Sequence, residues 1–181
     1  KNLVEKGHTV AVWNRTAERA EALGHELKIA VAGSARELAK GSDFVLLCVS
    51  DTPDVEAVLF GKDGVAAGIH KGATVVDLST ISPSAAKRFG ARLAEKGVGF
   101  LDAPVSGGSE GAAKGTLSIM AGGNEAAFNR ARPVLEAMGT RITHLGPVGS
   151  GQMTKLMNQV LVVVNMLAVG EALLLGRAAD L

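Results

Sequence analysis

Apolar residues in this chain fall into short continuous runs separated by longer amphipathic segments. Thr9–Trp13 and Lys28–Val31 predict two short strands, joined by a helix that Thr16 caps and Gly24 stops. Ser34 caps a helix ending near Lys40-Gly41. Phe44–Val49 is an unbroken apolar run, the mark of a parallel strand covered on both faces. A helix around Val55–Leu59, started by Asp51 and Asp54, leads to a strand at Thr74–Leu78. Ser82-Pro83-Ser84 opens another helix, because Pro is tolerated where the first N–H has no partner. Phe100–Pro104 predicts a strand that runs into a Gly-rich loop. Leu117–Ala121 and Arg141–Leu145 predict two more strands, with a helix from Glu125 to Met138 between them. Lys1–His8 reads as the last turns of a helix closed by Gly7, and a long helix begins near Gly151.

Strands alternating with helices at this spacing predict βαβ units and an α/β, Rossmann-like, doubly wound parallel sheet. The boundary falls near Gly146–Gly151, leaving a sheet domain over residues 1–148 and the start of a second unit over 149–181. Between Val160 and Leu175 the last helix is apolar nearly all round, interrupted by Asn165, Gly170 and Glu171. That is short of the ~20 apolar residues of a membrane span, so the expectation is a helix buried in a second domain or a partner subunit. Met153, Met157 and Met166 are then core residues. Cys48 reads as a small apolar residue in a buried strand.

Composition narrows the class. Of 181 residues, 47% are hydrophobic, and 19 Lys+Arg against 18 Asp+Glu leave a net charge of +1. This excludes a disordered chain and lacks the basic footprint of a nucleic-acid binder. Glycine is high at 23 residues, without a collagen period, which suggests tight turns and close backbone approach. One Cys excludes a disulfide scaffold, and His8, His25, His70 and His144 lie too far apart for metal ligation, so no metal site is expected. With no signal or transit peptide in view, the expected location is cytoplasmic.

In doubly wound sheets, ligands sit beyond the carboxyl ends of the strands, so the residues there carry the candidate chemistry. Asn14-Arg15-Thr16 follows the first strand, where dinucleotide folds usually hold an acid that binds the adenosine ribose. An acid would repel a 2′-phosphate, whereas Asn beside Arg and Thr suits one. A plain capping role for Thr16 with a solvated Arg15 is the alternative, and the two are compatible because a helix N-terminus attracts anions. Ser106-Gly107-Gly108 is either an ordinary turn or a seat for a carboxylate, made of a hydroxyl and exposed amides. In Gly149–Gln159, Lys155 stands one turn into the last helix with Asn158 and Gln159 on the same face. It is either a surface Lys or a sheltered proton donor.

Together these stretches resemble the β-hydroxyacid dehydrogenase family, which includes 3-hydroxyisobutyrate dehydrogenase, tartronate semialdehyde reductase and glyoxylate/succinic semialdehyde reductase. Val12–Thr16 is similar to the family's adenosine-recognition turn, Asp77–Pro83 to its strand beside the nicotinamide, Asp102–Gly108 to its substrate signature and Gly149–Gln159 to its catalytic helix. The resemblance implies hydride transfer between a nicotinamide cofactor, NADP in preference to NAD, and a small hydroxy acid or semialdehyde acid. It implies Lys155 as the catalytic acid and Ser106, Gly107, Gly108 and Asn158 as substrate-binding residues. Asn14, Arg15, Thr16, Val49, Ser50 and Thr80 would bind the cofactor. Gln159 leans toward the tartronate semialdehyde reductases. The partner is then a small carboxylate, with neither nucleic acid nor membrane, and a homo-oligomer formed through the helical domain.

The resemblance also implies missing parts. The family's first strand and G-x-G-x-x-G loop have no counterpart in the chain, and that strand lies between those at Thr9 and Phe44 in the Rossmann order. The all-helical second domain is represented by its first long helix, so the stretch is expected to be the middle of a chain of roughly 290 residues. A non-catalytic dinucleotide-binding or dimerisation module on the same fold is the alternative function, but it has no need of Lys155, Ser106 and Asn158 together. With central strand edges unpaired, the stretch alone is expected to aggregate or stay partly unfolded. Monodisperse, cooperatively melting material with micromolar NADPH affinity would contradict that.

Overall fold

The computed structural model describes residues 1–181. After a single-turn helix α1 (Asn2–Glu5) come β1 (Ala11–Val12), α2 (Ala17–Leu27), β2 (Ala30–Val31) and α3 (Ala35–Lys40). β3 (Phe44–Leu47), α4 (Thr52–Phe60), β4 (Thr74–Asp77) and α5 (Pro83–Ala94) follow. The chain continues through β5 (Gly99–Asp102), β6 (Val105–Ser106), α6 (Gly108–Lys114), β7 (Leu117–Gly123), α7 (Glu125–Glu136), β8 (Gly139–His144) and α8 (Ser150–Ala178).

The fold is Rossmann-like, but its strands form two sheets and the larger one is mixed. β1 and β2 pair in parallel as a separate two-stranded sheet, and β3, β4 and β5 run parallel side by side in the six-stranded one. No ladder joins β1 to β3, so the gap expected between them is present. The wholly parallel sheet expected from the strand–helix alternation is corrected at β7, which runs antiparallel to β5 and β6 and parallel to β8. The register shows why. Leu101 faces Gly123, Asp102 faces Gly122, Val105 faces Ile119 and Ser106 faces Ser118, so β6 continues the ladder of β5 along one edge of β7. Pro104, having no N–H to donate, interrupts that edge between them.

Successive residues of a strand face opposite sides, and the core divides accordingly. Val45, Leu47 and Val75 pack with Phe89 and Leu93 of α5 on one face, while Val76, Leu101 and Ile119 pack with Phe128 and Leu135 of α7 on the other. The expectation that β3 is covered on both faces is corrected: Phe44 and Leu46 are only half-buried, because β3 borders the gap. Cys48 lies just past the end of β3 and is exposed, not buried in a strand.

Gly24 does not stop α2. It sits inside the helix where an added Cβ would strike the Val31 side chain, and the helix ends at Lys28 in the left-handed region at φ 55°. The helix α6 went unforeseen, since Ser-Gly-Gly and a following Gly read as turn.

The last helix is anchored at one end only. Gly151, Gln152 and Lys155 are buried, while every residue from Val160 to Leu175 is exposed. Met153, Met157 and Met166 are exposed in this chain, on the face expected to be covered by a second domain or a partner subunit. The helix is 29 residues long, long and apolar enough by length and composition to cross a membrane, because it begins ten residues before Val160 and already carries apolar side chains there. The start of the same helix lies against the sheet at backbone distance. A Cβ on Gly151 would meet the carbonyl oxygens of Met120 and Asp102, whereas one on Gly170 meets nothing. In the full gene product Gly151→Ala should lower stability by about 1–3 kcal/mol through overpacking. The urea midpoint of the variant against the parent checks this; an unchanged midpoint contradicts the packing of α8 onto the sheet.

Candidate functional site

The residues selected from the sequence occupy two regions on the carboxyl side of the strands. The first is a cavity of about 380 Å³ in the gap between β1 and β3. Asn14, Arg15 and Thr16 line it from one side, Val49 and Ser50 from the other, together with Trp13, Arg19 and Asp54. Thr16 occupies the N-cap position of α2, but its side chain makes no capping bond. Its backbone N–H instead donates to Asn14 Oδ1 at 2.9 Å, which shapes the turn and leaves the hydroxyl uncommitted. Arg15 is 82% exposed and bridges the gap to the half-buried Asp54 of α4 at 3.0 Å, so an anion arriving there competes with that carboxylate for the guanidinium. With the guanidinium largely in water the pair is weak, and an anion can displace it at modest cost.

The second region lies where β4, β5 and α8 meet. Thr80 is exposed at the loop after β4, and Lys155 is 8% exposed on the first buried face of α8. Its ammonium makes no hydrogen bond or ion pair within the chain, and burial holds its pKa below the ordinary lysine value. Asn158 is half-buried one turn on, and its amide reaches Gln159 at 3.5 Å without touching Lys155. Ser106 ends β6, while Gly107 and Gly108 begin α6 at φ 134° and 62°, conformations that side chains rarely adopt. The cavity brings together Asn14, Arg15, Thr16, Val49 and Ser50, and it does not extend to Thr80, Ser106 or Lys155.

What joins the two regions is a buried polar network in which Asp102, Gln152, Ser79 and Asp77 had no role assigned from the sequence. Asp102 Oδ1 accepts from Gly149 N at 2.7 Å and Oδ2 from Gln152 N at 2.8 Å, so the carboxylate caps the first turn of α8. Burial pushes its pKa up, and the two amide hydrogen bonds oppose that. Ser79 Oγ accepts from Val49 N at 2.9 Å, tying β3 to the loop after β4. Ser79 N donates to Asp77 Oδ1 at 2.9 Å, and the other Asp77 oxygen has no partner. A sequence signal did exist: two strands both end in Asp, and adjacent parallel strands in register place the pair side by side, Asp77 opposite Asp102.

The arrangement is that of a dinucleotide-binding domain with a Lys-bearing helix laid across its strand ends, and similarity to known proteins specifies it further. Residues 1–146 match the NAD binding domain of 6-phosphogluconate dehydrogenase, and residues 149–181 match the NAD-binding segment of NADP-dependent 3-hydroxyisobutyrate dehydrogenase. The chain belongs to the family defined by the NAD binding domain of 6-phosphogluconate dehydrogenase, and its homologues are 3-hydroxyisobutyrate dehydrogenase-type proteins. It is 45% identical over 178 residues to 2-hydroxy-3-oxopropionate reductase of Escherichia coli, covering 98% of this chain and 60% of that protein. It is 39% identical to an NAD-dependent L-serine dehydrogenase of Pseudomonas aeruginosa, covering 99% of the chain and 60% of that enzyme. The structure of Mycobacterium tuberculosis 3-hydroxyisobutyrate dehydrogenase with L-serine superimposes with a TM-score of 0.92 at 36% identity, over 99% of this chain and 60% of that one. The chain thus spans about 60% of the length of these relatives.

The unpartnered Asp77 has a measurable consequence. Burial, with a smaller contribution from the Asp102 charge and against the Ser79 hydrogen bonds, pushes its pKa up to about 6 from an ordinary 3.8. The folded chain therefore holds this proton more tightly than the unfolded one. The resulting stability is full below about 3.8 and is lost as pH rises through about 6. Asp77→Asn imitates the neutral acid, so its stability relative to the parent should rise by on the order of 3 kcal/mol between about pH 4 and about pH 7.5. Denaturant unfolding across that range tests it; a pH-independent difference contradicts the burial of an ionisable Asp77.

Proposed function

We propose that the protein carrying this chain is an NADP-preferring oxidoreductase that reduces a small semialdehyde acid, or oxidises the corresponding hydroxy acid. The observation that supports it most is a buried Lys155, free of internal partners, on a helix tied to the loop that carries Thr80. When bound, the nicotinamide supplies or accepts the hydride. Thr80 would lie beside the ring, and Val49 and Ser50 would line the cofactor's path through the cavity. Ser106 and the amides of Gly107 and Gly108 would hold the substrate carboxylate, and Asn158 would orient the substrate. Lys155 donates a proton to the carbonyl oxygen in the reductive direction and takes it back in the oxidative one. Burial lowers its pKa below the ordinary lysine value, which eases release of that proton. Asn14, Arg15 and Thr16 would receive the 2′-phosphate, since no acid follows β1 to repel it. The similarity to 2-hydroxy-3-oxopropionate reductase supports a three-carbon semialdehyde acid as substrate. The exposed apolar length of α8 supports assembly through a helical domain, with a second copy completing the cover.

A binding module without catalysis would retain the cavity but have no use for a sheltered, unpaired ammonium. The two readings separate in one assay of the full gene product with NADPH and NADH against 2-hydroxy-3-oxopropionate, succinic semialdehyde, glyoxylate and methylmalonate semialdehyde. Lys155→Ala should abolish turnover while leaving NADPH binding nearly unchanged. The reductive rate should fall with rising pH at a value below the ordinary lysine pKa. Retention of most of the kcat by Lys155→Ala contradicts the assignment.

A further inference from the structure

Proton transfer and hydride transfer must reach the same carbonyl group, so the loop beside the cofactor and the helix bearing Lys155 need a fixed separation. Asp102 holds only the helix: its two hydrogen bonds end on backbone amides of the first turn of α8. The side chain of Gln152 does something different. It lies one turn before Lys155, on the same helical face, and is 0% exposed. Its Oε1 accepts from Ile81 N at 2.9 Å, and its Nε2 donates to Ser79 O at 2.7 Å. These bonds add nothing to the capping of α8, because the backbone N–H of Gln152 is already taken by Asp102. They grip the loop on both sides of Thr80 and cross 71 and 73 residues of sequence to do so.

Both atoms of the amide are needed. An apolar side chain of the same size would fill the space but orphan a buried N–H and a buried C=O. A carboxylate would keep the bond from Ile81 N and lose the one to Ser79 O. Through its own hydroxyl, Ser79 carries the grip on to Val49 at the end of β3. We propose that Gln152 is a positioning residue, which locks the loop bearing Thr80 to the turn bearing Lys155 and so sets the distance between hydride and proton donors. This rests on the function proposed above and gives it a part that touches neither substrate nor cofactor.

The test uses the full gene product with Gln152→Met and Gln152→Glu, alongside Lys155→Ala. For each, the NADPH dissociation constant, kcat per NADPH-binding site and the primary isotope effect with 4-deuterated NADPH are measured. Displacement of well-aligned groups by about 1 Å costs on the order of 100-fold in rate. Both Gln152 variants should therefore lose roughly 10- to 100-fold in kcat per site, with a larger isotope effect and an NADPH dissociation constant changed by less than about threefold. If Gln152→Met does not fold, Gln152→Glu decides; failure of both to fold assigns the residue to stability alone and overturns the proposal. An unchanged kcat per site, or loss of NADPH binding in step with kcat, also overturns it. An active Lys155→Ala enzyme would instead remove the function on which the proposal rests, whereas an inactive one beside unaffected Gln152 variants removes this proposal alone.

Discussion

The structure depends on one buried carboxylate. Asp102 ends β5 with no solvent exposure, and its two oxygens receive the amides of Gly149 and Gln152 at the start of α8. A negative charge at a helix N-terminus is stabilised by the aligned peptide dipoles, and amide-to-carboxylate bonds are stronger than neutral ones. Here the effect is architectural. Within this chain α8 packs through its first two turns, so this junction fixes where the helix starts and which side of it faces the sheet. Lys155 and Gln152 take their places from that start.

The same junction explains part of the glycine content. A Cβ on Gly122 would press into Asp102 Oδ1, Gly151 N and Pro147 O, and one on Gly151 into the backbone of β5 and β7. Two strands and a helix meet at backbone distance around a single carboxylate, which only glycine permits. The other cost is electrostatic. With Asp77 beside Asp102 on the neighbouring strand, the interior holds two acids whose pKa values are both raised. Ser79 links this pair to β3 and, through Gln152, to the helix, so the polar core is continuous from the end of β3 to the first turn of α8.

Much of this was legible in the sequence. The apolar runs at Phe44, Thr74, Phe100 and Leu117 marked the strands of the main sheet, since burial between layers requires them. Ser34 and Asp51 marked helix starts, and both side chains accept the amide three residues on. The motifs at Asn14, Ser106 and Lys155 marked the candidate site because residue type and position beyond a strand restrict the chemistry. The burial of Cys48 was misjudged, since an apolar run does not show where the strand within it ends. The antiparallel β7 escaped because a seven-residue apolar strand reads the same in either direction. Gln152 and Asp102 escaped for a further reason. Their roles lie in bonds spanning about 50 to 70 residues, which no local spacing encodes.

The central claim is that the Asp102 junction delivers one proton donor, Lys155, to the reacting oxygen. The most direct measurement is a crystal structure of the full gene product with NADPH and a non-reactive hydroxy-acid analogue. The account predicts the Lys155 ammonium within roughly 2.6–3.2 Å of the analogue's hydroxyl oxygen, with its carboxylate against Ser106, Gly107 and Gly108 and the Asp102 bonds to Gly149 and Gln152 intact. A Lys155 turned away from that oxygen, or a different acid in contact with it, would contradict the account.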